Sequence, residues 1–308
     1  MLVVWTMLAD LSTDDNRAAL FFRVGLASQI ASFLASAISS PLMALNPWIP
    51  LFLGSGVALA GLGCVFSLPE TMNKVKSPEA EQMYSDDDEP PGPSESAYNL
   101  VSRKIERLIQ PYSFLFTRPL LMLLLSFFTV QFARNALSFL TLYASTRFGW
   151  SIAQAHLLSS LYLAVTIPLF LFILPLVSSK LLHSLSASRR DLQIARLSII
   201  AYIMGSLALG LSSSASLVIP SVCVYAFGAG FPIVIRSLIP NLVKRDETAK
   251  LYSVFEIVQA AGDILGGLCF TKAFSSSFSL GKEESGLVWL LSSLLYGLVE
   301  LVLMLVHV

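Results

Sequence analysis

Lysine and arginine are sorted along this chain, and the sorting turns a string of apolar runs into a membrane topology. Hydrophobic stretches run roughly from Met1 to Leu8, Ala18 to Ala44, Trp48 to Phe66 and Leu120 to Ala144. Five more follow, roughly Ala155 to Val177, Ile194 to Leu211, Leu217 to Leu238, Ser253 to Phe270 and Leu287 to Val308. When the gaps between runs are assigned alternately to two sides, sixteen of the 20 Lys and Arg fall on one side. The other side holds Arg147, Lys272 and Lys282, and Arg134 sits inside a run. Cytosolic loops carry an excess of Lys and Arg, so the rich side faces the cytosol. Each complete run approaches the ~20 apolar residues that cross a bilayer core as a helix. A closed β-barrel would need alternating polar and apolar residues, and these runs are continuous. The chain reads as an all-α membrane protein.

Composition narrows the function classes. Only 13% of the residues are charged, against about 25% in a soluble domain. The net charge of zero removes any general electrostatic case for nucleic acid. Cys64, Cys223 and Cys269 lie in apolar segments without paired spacing, which suits small packing residues better than metal or disulfide roles. No phosphate-binding glycine loop, nucleophile elbow or paired-histidine zinc motif is present. The expectation is therefore a non-enzyme with neither metal nor cofactor.

The segment Met1 to Ala9 is apolar but too short to span, and it lacks the charged front and cleavage site of a signal peptide. It reads as the end of a transmembrane helix, so the chain is expected to start partway through a longer protein. After Arg17, Ser28, Ser32, Ser36 and Ser40 recur every four residues beside Ala27, Ala31 and Ala35, a small-residue stripe that permits close helix approach in lipid. The acidic, Pro-rich stretch from Ser85 to Ser96 reads as disordered. Leu100, Val101, Ile105, Leu108 and Ile109 then fall on one helical face opposite Arg103, Lys104 and Arg107, which suits a helix on the cytosolic membrane surface or a plain amphipathic linker. This divides the chain into an N-terminal part (1–67), a linker (68–113) and a C-terminal six-helix part (114–308). Pro168, Pro175 and Pro232 are expected to kink their helices.

Two polar stripes interrupt the apolar runs. In the first, Gln131, Arg134, Asn135, Ser138, Thr141 and Ser145 share one α-helical face. Arg134 lies near the middle of its span, where a charge costs ~2.5–3.5 kcal/mol on insertion scales. It therefore pairs with a neighbour or faces water; this face either lines a cavity or ties helices together. In the second, Ser253, Glu256, Gln259 (or Ala260), Asp263 and Gly267 share a face, and Gly262 with Gly266 offers a close-approach pair. Asp263 is a candidate proton relay or a helix-packing carboxyl. Arg236, near a cytosolic helix end, is expected to snorkel to headgroups or bond between helices. His156 and Glu300 are expected to be solvated or locally paired.

The order of these features resembles the major facilitator superfamily, and specifically its fungal solute and drug transporters. ADLSTDDNRAALFFRVG is similar to that family's turn from the fourth to the fifth helix, and the charged segment before Tyr112 to the loop between its two halves. YASTRFGWSIAQAHLLSS resembles its seventh-to-eighth turn, SRRDLQIARLSII its loop into the ninth helix, and IRSLIPNLVKRDETAKLYSVFEIVQAAGDILGG its tenth-to-eleventh passage. The resemblance implies a major-facilitator-type helical bundle with an incomplete N-terminal half and a complete six-helix C-terminal half. The expected function is secondary transport of a small organic solute by alternating access, with efflux of a drug or secondary metabolite as one form. The alternative is a truncated, non-transporting membrane protein that is a degenerate product or acts on a full-length partner. Partners are the bilayer, the solute and a coupling proton. The Gly-Pro pair typical of the family's antiporters has no counterpart in the fifth helix, where Ser40-Pro41 is nearest. Location is multi-pass, in the plasma membrane or an organelle membrane. By resemblance, the seventh helix lines the central cavity, which would place Gln131, Arg134, Asn135, Ser138 and Thr141 there. Glu256, Gln259, Asp263 and Arg236 would serve proton relay or a helix interface.

Overall fold

The computed structural model describes residues 4–5, 7–8, 14–46, 48–66, 115–178, 186–243, 247–280 and 286–306. The linker expected over 68–113, with its disordered stretch and surface helix, lies outside the described residues. Every regular element among the described residues is helical. The chain divides into two compact units, Met1–Ile38 with Thr117–Val308, and Ser39–Phe116.

The larger unit begins with α1 (Asp14–Leu45), whose last turns belong to the smaller unit. It continues with α3 (Arg118–Arg134) and α4 (Leu140–Phe148), joined by a 3₁₀ turn over Asn135–Phe139. Then come α5 (Ile152–Pro168), α6 (Ala187–Leu211), α7 (Ala215–Phe227) and α8 (Phe231–Leu238), followed by α9 (Thr248–Leu280) and α10 (Leu287–Leu305). The smaller unit holds α2 (Trp48–Phe66), where the Asn46 side chain accepts the Trp48 N–H at 3.0 Å. Its side chains from Leu51 to Cys64 are exposed.

Seven helical stretches among the described residues are long and apolar enough to cross a membrane, and Trp48–Cys64 is a shorter apolar helix. Six of the seven follow Arg118, from Arg118–Phe148 to Leu287–Leu305. Several extend beyond the apolar runs, because the polar ends of a spanning helix continue into the headgroup region. The turn between the first two of the six shows how sequence sets the local fold. Gly149, at φ +69°, takes the left-handed conformation that ends α4. Ser151 then caps α5, its hydroxyl accepting the Gln154 N–H at 3.3 Å while the Gln154 side chain accepts the Ser151 N–H at 3.1 Å.

In this unit α6 packs on α7 and α10, and α3 packs on α9 and α10. Trp289, Tyr202, Tyr225, Tyr296 and Phe255 are fully buried, whereas Leu125, Leu157, Ile257, Ile264 and Leu268 are exposed. A surface so apolar suits lipid; in water it would aggregate. A Cβ on Gly205 would meet the Tyr225 backbone at 2.5 Å, so the α6 and α7 backbones touch there. The Gly262–Gly266 pair likewise lies against α3. In the serine–alanine stripe of α1, Ala27, Ser28, Ala31, Ser32 and Ala35 are exposed. Cys64 and Cys269 are also exposed rather than packed.

The prolines act in different ways. Pro168 has no N–H to give back to the preceding turn, and the helix slips into a π-turn over Leu169–Ile173 before resuming at Leu174–Leu176, which contains Pro175. Pro232 falls in the first turn of α8, after a 3₁₀ turn over Gly228–Gly230, where its missing donor costs nothing.

Candidate functional site

A cavity of about 400 Å³ opens beside the junction of α3 with the 3₁₀ turn. Arg134, Asn135, Leu137 and Ser138 line it from that span, Ser159, Tyr162 and Leu163 from α5. Gln29 of α1 and Asp263 of α9 complete it. Both lie in the same compact unit as the rest. A local competition sets the helix break. The Asn135 side-chain amide donates to the Gln131 carbonyl at 3.1 Å, offering that turn a bond outside the backbone ladder. The switch to three residues per turn rotates everything downstream out of the α-helical phase.

The break divides the first polar stripe. Arg134, Asn135 and Ser138 face the cavity. Gln131 is buried against α9, where a Cβ on Gly262 would approach its own Cβ at 3.0 Å, and its Oε1 has no hydrogen-bond donor among the described residues. Thr141 does not line the cavity; its hydroxyl lies 3.4 Å from that of Ser159. The Ser145 hydroxyl donates to the Trp150 carbonyl at 2.9 Å, in the turn. The continuous face expected for all six residues is thus shared among a cavity, a helix interface and a loop.

The second stripe divides as well. Asp263 borders the cavity, half-buried, with the Gln259 side chain and the Arg134 charge within electrostatic reach. Glu256 and Gln259 bind Arg236, which is 6% exposed and makes an ion pair with Glu256 at 3.2 Å. The Arg236 guanidinium also lies over the rings of Trp5 and Phe127, at 5.1 and 5.2 Å. Arg236 therefore bonds between helices and does not extend to headgroups. Glu300, expected to be solvated or locally paired, is 8% exposed, with Arg196 as its nearby charge. Arg196 itself donates to the Leu303 carbonyl at 2.7 Å. His156 is exposed.

Arg134 is the distinctive member of the cavity. Among the described residues its guanidinium makes no hydrogen bond or ion pair, although Asp263 and the hydroxyls of Tyr162, Tyr202 and Tyr225 lie within electrostatic reach. Behind Tyr162 stands a buried aromatic cluster. Tyr202 packs on Tyr225 and Tyr296 with ring centroids 4.7 and 4.8 Å apart, and the Tyr225 and Tyr296 hydroxyls are 2.9 Å apart. The Tyr202 hydroxyl lies near Tyr162 but completes no hydrogen bond among the described residues. Sequence reasoning missed Gln29, Ser159, Tyr162 and this cluster. The available signal was tyrosine in mid-run, since membrane tyrosines ordinarily sit at the interfaces.

No group of three or more His, Cys, Asp or Glu able to hold a metal occurs among the described residues. The arrangement offers a cation, a carboxylate and hydroxyl and amide groups around a void, which suits reversible binding.

Comparisons with known proteins agree with these features. The Major Facilitator Superfamily profile matches residues 1–267. The MFS-type transporter aprT of Aspergillus flavus is 38% identical over 302 residues, covering 97% of this chain and 58% of that protein. The MFS efflux pump atnC of Emericella nidulans is 32% identical over 301 residues, covering 94% of this chain and 56% of that protein. The chain thus spans a little over half the length of these curated relatives. A bacterial homologue of the iron transporter ferroportin, crystallised in an outward-facing state, superposes with a TM-score of 0.55 over 96% of this chain and 65% of that one. At 14% identity, that likeness concerns the fold.

Proposed function

The chain belongs to the major facilitator superfamily, and from that premise we propose that it moves a small organic solute across a membrane by alternating access. The cavity around Arg134 forms part of the solute path. The observation that carries this reading is the Arg134 guanidinium. It borders a void within an apolar span and has no hydrogen-bonded protein partner among the described residues. A purely structural arginine would spend its five N–H donors on carbonyls or carboxylates, as Arg236 does in part with Glu256 and Gln259. A charge in the membrane that faces a cavity is a functional site by default. The direction proposed is export, by analogy with relatives named as efflux pumps, and a fungal secondary metabolite or drug-like compound suits such a role. Asp263, half-buried on the cavity wall and within the field of Arg134, is the proposed carrier of a coupling proton.

The test is export from yeast cells expressing the protein, measured as retention of a panel of organic compounds. Arg134→Ala should abolish or redirect export at similar membrane abundance. Unchanged export would overturn the proposal, and loss of abundance alone would show that Arg134 only holds helices together.

A further inference from the structure

We infer, on the reading that this cavity is the solute site, that it selects organic solutes bearing a carboxylate or an equivalent oxyanion, with Arg134 as the group that recognises it. The charges around the cavity differ in how far they are already satisfied. Asp263 is half-buried and can be hydrated, with Gln259 beside it. Arg236, the other buried cation nearby, is held by Glu256 and Gln259 and covered by two rings. Arg134 alone borders the void with its donors uncommitted among the described residues. A guanidinium is a planar fork matched to two carboxylate oxygens, and such charge-assisted pairs are about twice as strong as neutral ones. A carboxamide or ester offers one neutral acceptor, and an ammonium is repelled. Ser138 and Tyr162 can donate to the same oxygens, while Leu137 and Leu163 give an apolar body a place to lie. Asp263 on the wall can accept from a donor group on the solute, so the class includes solutes that carry the oxyanion together with such a group.

The probes are indole-3-acetate, its amide and tryptamine, which share one ring system and differ in the terminal group. Their binding is measured on the purified protein in nanodiscs, without any gradient. The acid should bind about ten- to a hundredfold more tightly than the amide, as expected for a hydrogen bond to a charged rather than a neutral group. Tryptamine should bind weakest. Arg134→Gln should bring acid and amide to parity, and Arg134→Lys, which keeps the charge but loses the fork, should retain a reduced preference. Parity in the parent protein, tighter binding of tryptamine, binding by none of the three, or a full acid preference in Arg134→Gln would each overturn the inference. The two readings fail separately. Acid-selective binding with export insensitive to Arg134 would sink the transport proposal and leave this one. Export that depends on Arg134 without acid selectivity would do the reverse.

Discussion

Replacing Gly266 with alanine would drive a methyl group into the backbone of α3 beside the cavity. The new Cβ would lie 2.6 Å from the Phe132 carbonyl oxygen, 2.6 Å from Asn135 Nδ2 and 3.0 Å from Phe132 Cα. Ordinary contact lies near 3.4 Å or beyond, so α9 must retreat by roughly 0.8 Å. The Asn135 side chain could turn away, but the Phe132 carbonyl is helix backbone and cannot move alone. Overpacking of this kind costs about 1–3 kcal/mol. For a chain of this size the midpoint of thermal unfolding should fall by roughly 2–5 °C. Gly262→Ala meets Gln131 Cβ at 3.0 Å and the Phe128 carbonyl oxygen at 3.1 Å, a milder conflict, so its loss should be smaller. Gly297, in α10, has nothing among the described residues within 4 Å of its would-be Cβ. There, alanine should gain about 0.5–1 kcal/mol from helix propensity. Fluorescence-detected thermal unfolding in detergent ranks the three. The reasoning fails if Gly266→Ala melts at or above the parent, or if Gly297→Ala is the most damaging.

Two further expectations follow. Glu256→Ala should destabilise more than Arg236→Met, by up to about 3 kcal/mol, because it strands a cation whose side chain is 8% exposed, whereas the Glu256 side chain is 28% exposed and can be hydrated; the same unfolding assay would reveal a reversed order. Cysteine at Ser94 should react with an impermeant maleimide only after cells are permeabilised, since the charge asymmetry puts that stretch in the cytosol, and labelling of intact cells would reverse the orientation.

The fold was legible because charge and apolar length act over whole segments. Sixteen sorted basic residues and runs near twenty apolar positions do not depend on any single contact. The Gly262–Gly266 pair was legible too, since a spacing of four puts both on one face whatever lies opposite. The candidate site was legible only to the end of α3. The stripe from Gln131 to Ser145 holds only in a continuous α-helix, and the 3₁₀ turn that begins at Asn135 spoils that phase. The Asn135 side chain competes for the backbone as well as supplying a polar group to the stripe. Arg236 was hard to place because its partners Glu256 and Gln259 stand 20 and 23 positions away and Trp5 lies near the other end of the chain. The tyrosine cluster is less local still, with Tyr225 meeting Tyr296 across 71 positions.

The 3₁₀ turn between α3 and α4 also couples length to twist. Its five residues each rise about 2.0 Å and turn about 120°, against about 1.5 Å and 100° in an α-helix. Returning them to α-helical bonding would shorten the span by about 2.5 Å and rotate its far end by about 100° relative to Arg134. The span is in effect a screw with its thread at the cavity wall. A ligand that pulled the Asn135 amide off the Gln131 carbonyl would release the thread. The end that carries Arg147 and the Gly149 turn would then withdraw and revolve in one motion, and Tyr143 would lose its bonds to the Leu209 carbonyl and the Ser212 hydroxyl.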